Sequence, residues 1–488
     1  MEVKEIEPEN LDPSDWSEFR TLARRALDDM IDHLETVRER PVWRAPPDQA
    51  RARFRASLPK EGHPLSESLE LFERFIKPYG TGNGHPAFMG WVHGAGTPVG
   101  MVAEMLAAGL NANCGGRDQI ALEVERQIAL WMSEAFGFPD AAAGLFVTGT
   151  SIANFLALLV ARNHHLGDAV RKTGLVGGPR LIAYASEAAH GCVSQSMQLA
   201  GLGSDALRLI PCDPRGAMRL DALAARLQAD RSAGLAPFLV VGTAGSVDIG
   251  AIDPLFNLAD FCAASNLWFH VDAAFGALLA FSPKLRPLIQ GIERADSIAF
   301  DFHKWAHVPY DAGFLLVRDG AGLRRTFASE RGYLTRAPTG LARGKTWPCD
   351  LGPDLSRGFR ALKTWFTLRT FGADRLGRAI EHNCELAERL AARVNESANF
   401  ELCAPVALNI VCFSVRSGDP DADNRAIVER LQVSGCAAPS ITVLAGIATI
   451  RCAIVNHRTT AADIDGFLDD ASLAAREVAE RPRARDRG

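Results

Sequence analysis

The chain has 488 residues, 47% hydrophobic and 23% charged, the balance of a globular protein with two or three packing units. A net charge of −5 supplies no basic field for nucleic acid or an anionic membrane, and no apolar run approaches the ~18 residues of a membrane span. The ten cysteines are scattered without C-x-x-C spacing and the first residues lack the basic end and apolar core of a signal peptide, so a cytoplasmic protein without disulfides or zinc is expected.

Residues 14–40 carry a helical pattern, with Phe19, Leu22, Ala23, Ala26, Met30, Leu34 and Val37 recurring at spacings of three and four. Pro41, Pro46 and Pro47 end that helix. A charged helical stretch follows at 49–57, and a helix starting at Ser66 carries Leu69, Phe72 and Phe75. Residues 1–80 hold too little apolar surface for a core of their own, so they are expected to pack on the main body or on a second subunit. From 81 to 375, helices alternate with seven short apolar runs, at 144–147, 179–184, 207–210, 237–241, 268–271, 297–300 and 312–317, which read as buried strands. Helical stretches such as 221–229 and 254–264 separate them. This alternation argues for an α/β fold built on a mostly parallel seven-stranded sheet with helices on both faces. From 376 the pattern changes to a long helix at 378–396, strand-like runs at 410–413 and 449–454, and a helix from Ala461. Residues 376–488 are therefore expected to form a small C-terminal α+β domain.

Ligands of such sheets gather at the carboxyl ends of the strands, and His190, Thr243, Asp272 and Lys304 all lie just after predicted strands. Lys304 stands between Phe302 and Trp305, where a solvated lysine would be poorly placed. A desolvated lysine has a lowered pKa and is a better amine nucleophile, able to hold an aldehyde as a Schiff base. Asp272 closes another apolar run, and a buried carboxylate can keep a pyridine nitrogen protonated. Singly, the lysine reads as a surface charge and the aspartate as a helix cap. Together they are the two protein groups that pyridoxal phosphate (PLP) chemistry requires. Thr148, Gly149, Thr150 and Ser151 follow a strand and open a helix over 152–162, so free N–H groups and two hydroxyls form an anion cradle. A plain cap would need only one hydroxyl. His303 and His307 share i, i+4 spacing, but no glutamate stands between them as in H-E-x-x-H, and no metal is expected.

Five anchors occur in order: His85-Pro86-Ala87-Phe88, Thr148 through Asn154, Ala189-His190, His270 through Ala274, and Asp301 through Trp305. With them the chain resembles the group II PLP-dependent amino acid decarboxylases from about Leu71 to Gly372. The resemblance implies a fold-type-I PLP-dependent transferase fold and a homodimer with shared active sites. It makes residues 1–80 a helical dimerisation segment, 81–375 a large PLP-binding domain and 376–488 the small domain. The implied reaction converts an L-amino acid, aromatic by default, to its amine and carbon dioxide; no nucleic acid or membrane partner is expected. In the family's pattern Lys304 forms the Schiff base, Asp272 sits beneath the ring nitrogen and His190 stacks on the ring. Thr150, Ser151 and His303 bind the phosphate, and Ala274 contacts the ring face. Thr243 reads either as a hydroxyl near the ring oxygen or as a turn residue.

Tyr333, in a polar stretch without periodicity, reads either as a docked loop aromatic or as the family's mobile-loop tyrosine that returns a proton to the substrate carbon. A phenylalanine at that point would favour an aldehyde synthase, so Tyr333 favours decarboxylation. An aminotransferase or another Cα lyase uses the same lysine and aspartate. A non-catalytic scaffold would be expected to have lost one of these groups, and all are present. Departures from the pattern concern the substrate. Aromatic-acid members carry a threonine where this chain has Gly94, with His93 beside it, and a bulky apolar wall from the partner subunit where it has Asn113, Gly115 and Gly116. Asp301 stands where a close member has an asparagine facing the phosphate. Trp91, His93 and Asn113 are the candidate substrate contacts. Arg117 either pairs with Asp118 at the surface or points inward, where it would select an acidic substrate.

Overall fold

All seven apolar runs form strands of a single sheet: β1 (Ala143–Val147), β2 (Leu181–Ser186), β3 (Leu207–Ile210), β4 (Ala236–Thr243), β5 (Trp268–Asp272), β6 (Ser297–Asp301) and β7 (Gly313–Val317), in the order β1-β7-β6-β5-β4-β2-β3. The computed structural model describes residues 10–329 and 332–480, without the side chain of Tyr333. Pairs along β3-β2-β4-β5-β6 are parallel, whereas β7 runs antiparallel to both β6 and β1. The segment between β6 and β7 holds only one helical turn, Phe302–Trp305, too little for a crossover helix, so the chain turns back beside the strand it has just left. Register sets Thr243 opposite Asp272, and Asp272 opposite Ala299. The last residues of β4, β5 and β6 thereby share one edge.

Side chains alternate between two cores, as a period of two requires. Phe300, Phe314 and Val240 face one side, where Phe146–Phe314 and Phe300–Phe302 rings lie 4.9 and 5.0 Å apart. Ala299, Leu315 and Val241 face the other, under Leu156 and Ala157 of the helix Thr150–Leu166. Apolar burial on both faces explains why the strands read as near-continuous apolar runs.

A second, antiparallel sheet has the order β10-β11-β9-β8, built from β8 (Phe400–Leu402), β9 (Ile410–Val415), β10 (Ser440–Leu444) and β11 (Ile447–Ala453). The helices Pro420–Ser434 and Ala461–Ala479 pack on it through Ile427, Leu431, Ile464, Phe467 and Leu468. The long helix is longer than its apolar pattern suggests: it spans Arg360–Glu396 and breaks at Gly372, whose φ of 70° is left-handed. Its two halves reach from the large sheet to the small one. β8, β10 and the helices Pro98–Leu110, Ile120–Phe136 and Pro420–Ser434 are further elements beyond those named from the sequence.

The first helix is Trp16–Glu35, capped by Asp15, which accepts from the backbone N–H of Ser17 at 2.7 Å. It ends before Arg40 because Thr36 already leaves helical geometry. None of its residues is buried, and Trp16 stays 54% exposed. The charged stretch forms only Asp48–Arg53, and the next helix is Leu65–Leu71, followed by a π turn over Phe72–Ile76. No helix among the described residues is long and apolar enough to cross a membrane.

His307, after β6, and His457, after β11, meet where the two sheets join, their rings 4.7 Å apart and near-perpendicular. Burial, helped by Arg458, holds His457 down to about 4 and His307 well below its usual range. An unfolded histidine takes up its proton below about 6.5, whereas the folded His457 does so only near 4, so its stabilising effect is intact above 6.5 and lost as pH falls between these values. Chemical unfolding from pH 6 to 4.5 should therefore show wild type losing about 1.4 kcal/mol more per pH unit than His457→Gln, which keeps an amide donor for the Gly96 carbonyl. Equal slopes for the two proteins would refute this account.

Candidate active site

A cavity of about 410 Å3 opens at the carboxyl edge of the large sheet. Its lining includes His190 beyond β2, Thr243 closing β4, Asp272 and Ala274 at the end of β5, and Asp301, His303 and Lys304 at the end of β6. Thr148 to Ser151, between β1 and its helix, form another wall, and the segment Trp91–His93 with Tyr310 closes the rim. Ten of the twelve residues named as site candidates in the sequence, all but Tyr333 and Asn113, thus need no long reach across the fold.

The start of the helix Thr150–Leu166 is built to receive an anion. Gly149 is its N-cap, and no side chain caps it. The Thr150 hydroxyl is buried without a hydrogen-bond partner, so neither it nor the exposed Ser151 is spent on capping. Gly313 of β7 lies so close to the Gly149 backbone that a Cβ at 313 would overlap it. That contact presses the loop onto the sheet.

Asp301 has its own place in this wall. Its Oδ1 accepts from the Thr150 backbone N–H at 2.7 Å, and its Oδ2 lies 3.3 Å from Lys304 Nζ. The acid thus turns to the helix start and the lysine. His303 Nδ1 accepts from the Ala312 N–H at 3.0 Å, which leaves Nε2 to carry the proton of the neutral ring. Burial first, and then Lys304, lowers the His303 pKa against the pull of Asp301. His190 likewise accepts through Nδ1, from the Cys192 N–H at 3.2 Å.

Asp272 is only 4% exposed. Burial raises its pKa, while Asn154, Lys304, His190 and the Ala274 N–H draw it back toward the charged form. Asn154 Nδ2 donates to its Oδ2 at 2.8 Å, and the Ala274 N–H donates to Oδ1 at 3.2 Å. Thr243 is the last residue of β4, not part of a turn, and its hydroxyl too is buried without a partner. Its N–H donates to Asp253 at 2.8 Å, an acid that burial pushes up to about 6.

The rim is aromatic. Phe88, His93 and Trp91 stack in succession, His93 lying 5.7 Å from each neighbour, and Tyr310 meets His93 edge-on at 6.1 Å. Burial and the Lys304 charge lower the His93 pKa. Gly94 lies directly against the carbonyls of His303 and Lys304, where any Cβ would overlap them.

Other sequence candidates lie elsewhere. Asn113 is exposed and outside the cavity of its own chain; its Oδ1 accepts from the N–H groups of Gly115 and Arg357 at 3.0 and 3.1 Å. Arg117 stacks on Trp347 at 4.8 Å, and Asp118 lies 3.9 Å from Arg343, so the Arg117–Asp118 pair is replaced by these contacts. Tyr333 belongs to the turn Gly332–Leu334, but its side chain is outside the described residues. His307 leaves His303 for His457, and among the described residues no three His, Cys, Asp or Glu side chains gather as a metal set. Tyr310 was invisible in the sequence, since nothing in its local pattern marks it for the cavity.

A lysine and a buried carboxylate facing one cavity, beside an uncapped helix start with unpaired hydroxyls, define a site for a phosphorylated pyridine aldehyde. The comparisons with known proteins agree. Residues 47–416 match the pyridoxal-dependent decarboxylase conserved domain, and the chain belongs to that family. It is 33% identical over 475 residues to an aromatic-L-amino-acid decarboxylase of Bacillus atrophaeus, covering 94% of this chain and 96% of that one. A histidine decarboxylase of Drosophila melanogaster is 32% identical over 474 residues, covering 92% of this chain and 54% of the longer relative. The crystal structure of Oryza sativa TDC with PLP and tryptamine superposes with a TM-score of 0.88 at 26% identity, over 96% of this chain and 99% of that one. The protein is a fold-type-I, PLP-dependent amino acid decarboxylase.

Proposed function

We propose that the substrate is an aromatic L-amino acid, released as the amine with carbon dioxide. The observation that carries this reading is the ledge of His93 and Trp91, backed by the buried Phe88, with Tyr310 edge-on to it, a set of rings suited to a planar side chain. An acidic side chain would need a fixed cation, and among the described residues no arginine lines the cavity. Arg117 is held on Trp347 instead.

The roles follow from chemistry and position. Lys304 would hold the aldehyde, and Asp272 would keep the ring nitrogen protonated. His190 and Ala274 would contact the ring, and Thr243 would serve its oxygen. Thr150, Ser151 and the Nε2–H of His303 would hold the phosphate. When bound, PLP supplies an electron sink for the bond between Cα and the carboxylate. Tyr333 would supply the proton that replaces carbon dioxide at Cα, with water kept from competing. Trp91 and His93 orient the substrate ring, with Asn113 reaching the site of a partner subunit in a homodimer. That assembly is supported by apolar side chains left bare on one chain, Leu110 at 67% and Ile120 at 79% exposure.

A competition assay decides the substrate class. With aromatic amino acids, histidine, glutamate and aspartate supplied together, an aromatic amine and carbon dioxide are expected in equal amounts. Turnover of acidic but not aromatic amino acids would overturn the reading, and carbon dioxide with aldehyde and peroxide would move it to the aldehyde synthases.

A further inference from the structure

Behind Asp272, on the side away from the cavity, a line of buried side chains is hydrogen-bonded in one direction. The Trp268 indole N–H donates to Ser297 Oγ at 2.9 Å, and Ser297 Oγ lies 2.8 Å from His270 Nδ1. His270 Nε2 lies 2.8 Å from Asn154 Oδ1, and Asn154 Nδ2 donates to Asp272 Oδ2 at 2.8 Å. Ser297, His270 and Asn154 are 0, 2 and 3% exposed, so water does not compete for these bonds.

With Asp272 as the carboxylate, the chain of donors has a single consistent solution. An indole nitrogen only donates, and a carboxylate oxygen only accepts. The amide oxygen of Asn154 must therefore face His270, which requires the imidazole proton on Nε2. His270 is neutral, its pKa pushed down to about 3 by burial, so Nδ1 is bare and accepts the Ser297 hydroxyl proton. Reversing the Asn154 amide would set its oxygen against the Asp272 carboxylate. The second Asn154 N–H points to the Cys192 thiol at 3.2 Å, a group whose own pKa burial raises to about 12 and which therefore stays uncharged.

We infer that Asn154 and His270 are positioning residues, which hold Asp272 charged and aimed at the cofactor ring through this directed chain. Burial alone favours a protonated Asp272, and a protonated carboxyl cannot keep a pyridine nitrogen protonated. The other groups facing it are the Ala274 N–H, Lys304, His190 and the neutral Cys192 thiol. Among the described side chains Asn154 is the short donor to Asp272, at 2.8 Å against 4.0 Å for the weakly donating Cys192 thiol, and the His270 tautomer keeps that donor turned the right way. Neither residue lines the cavity, so their effect on the ring nitrogen passes through Asp272.

The inference rests on the role proposed for Asp272, and the test separates the two. His270→Leu, His270→Gln, Ser297→Ala, Asp272→Asn and the double variant His270→Leu/Asp272→Asn are compared as holoenzymes for kcat, KM and the rate at which PLP leaves on dilution, followed by its visible absorption. His270→Leu should lower kcat and speed PLP release about tenfold each, with KM unchanged. His270→Gln, which keeps an N–H for Asn154, should recover most of the loss. Ser297→Ala leaves the ring in place and removes only the hydroxyl that fixes its tautomer, so it should cost about threefold. The double variant should be no worse than Asp272→Asn alone. Leucine and glutamine variants equally impaired, or Ser297→Ala without effect, would overturn the relay while leaving Asp272 its role. An Asp272→Asn enzyme with unchanged kcat and PLP release would overturn that role first. If His270→Leu does not fold, the glutamine and Ser297→Ala variants decide the matter.

Discussion

Lys304→Ala should remove the visible absorption of the bound cofactor and reduce turnover by a factor of at least about a thousand, with the fold intact. Among the described residues the lysine is the one amine lining the cavity, so none of them can replace it. Its side chain is 23% exposed, and truncating it leaves no sealed void. Asp301 would lose its 3.3 Å partner yet retain the Thr150 N–H, so its charge stays hydrogen-bonded. Absorption spectra, thermal unfolding and carbon dioxide release measured on one preparation check all three statements. A coloured, active Lys304→Ala enzyme would end the assignment of the lysine.

Arg357→Met should destabilise the protein by about 3–5 kcal/mol, the usual effect of stranding one member of a buried ion pair. Arg357 is 4% exposed and Glu125 6%. The guanidinium grips both Glu125 oxygens, at 2.6 and 3.1 Å, and also donates to the carbonyls of Cys114 and Phe146. It therefore ties the 113–116 loop to the end of β1, beside the anion cradle. Adding Glu125→Leu should restore much of the loss, because the stranded charge goes with it. Denaturant unfolding of the two single variants and the double variant gives the coupling directly. A double variant as unstable as the sum of the singles would show the pair to be independent.

The large sheet was legible because strands buried on both faces need unbroken apolar runs, and all seven were present. The lysine and aspartate were legible because each ends such a run. The small sheet was half hidden. β10 and β11 are joined by Ala445 and Gly446, both at positive φ, and an alanine in the first position masks the Asn-Gly or Asp-Gly signal of a two-residue hairpin. β8 has three residues, too few for a period to show. The helix Pro420–Ser434 carries a start signal, Asp419 followed by Pro420, but no strong apolar stripe to extend it. In the site, Tyr310 reaches the rim through the path of the chain after Lys304. Asn154 and His270 were visible as members of conspicuous segments, yet their pairing joins a helix to a strand more than a hundred residues away and leaves no trace in local spacing.

Gly94 limits how this enzyme could diverge. With its Cα seated on the carbonyls of His303 and Lys304, the position admits no side chain unless the lysine-bearing turn itself is displaced. The threonine that the resemblance associates with this point is not one substitution away; it needs a second backbone conformation to arrive with it. New selectivity is far more accessible at Trp91, His93 and Tyr310, whose side chains edge the opening, Tyr310 also packing on His303 with its ring 4.3 Å away. A library confined to those three rim positions explores substrate range, whereas one that includes position 94 spends its variants on broken sites.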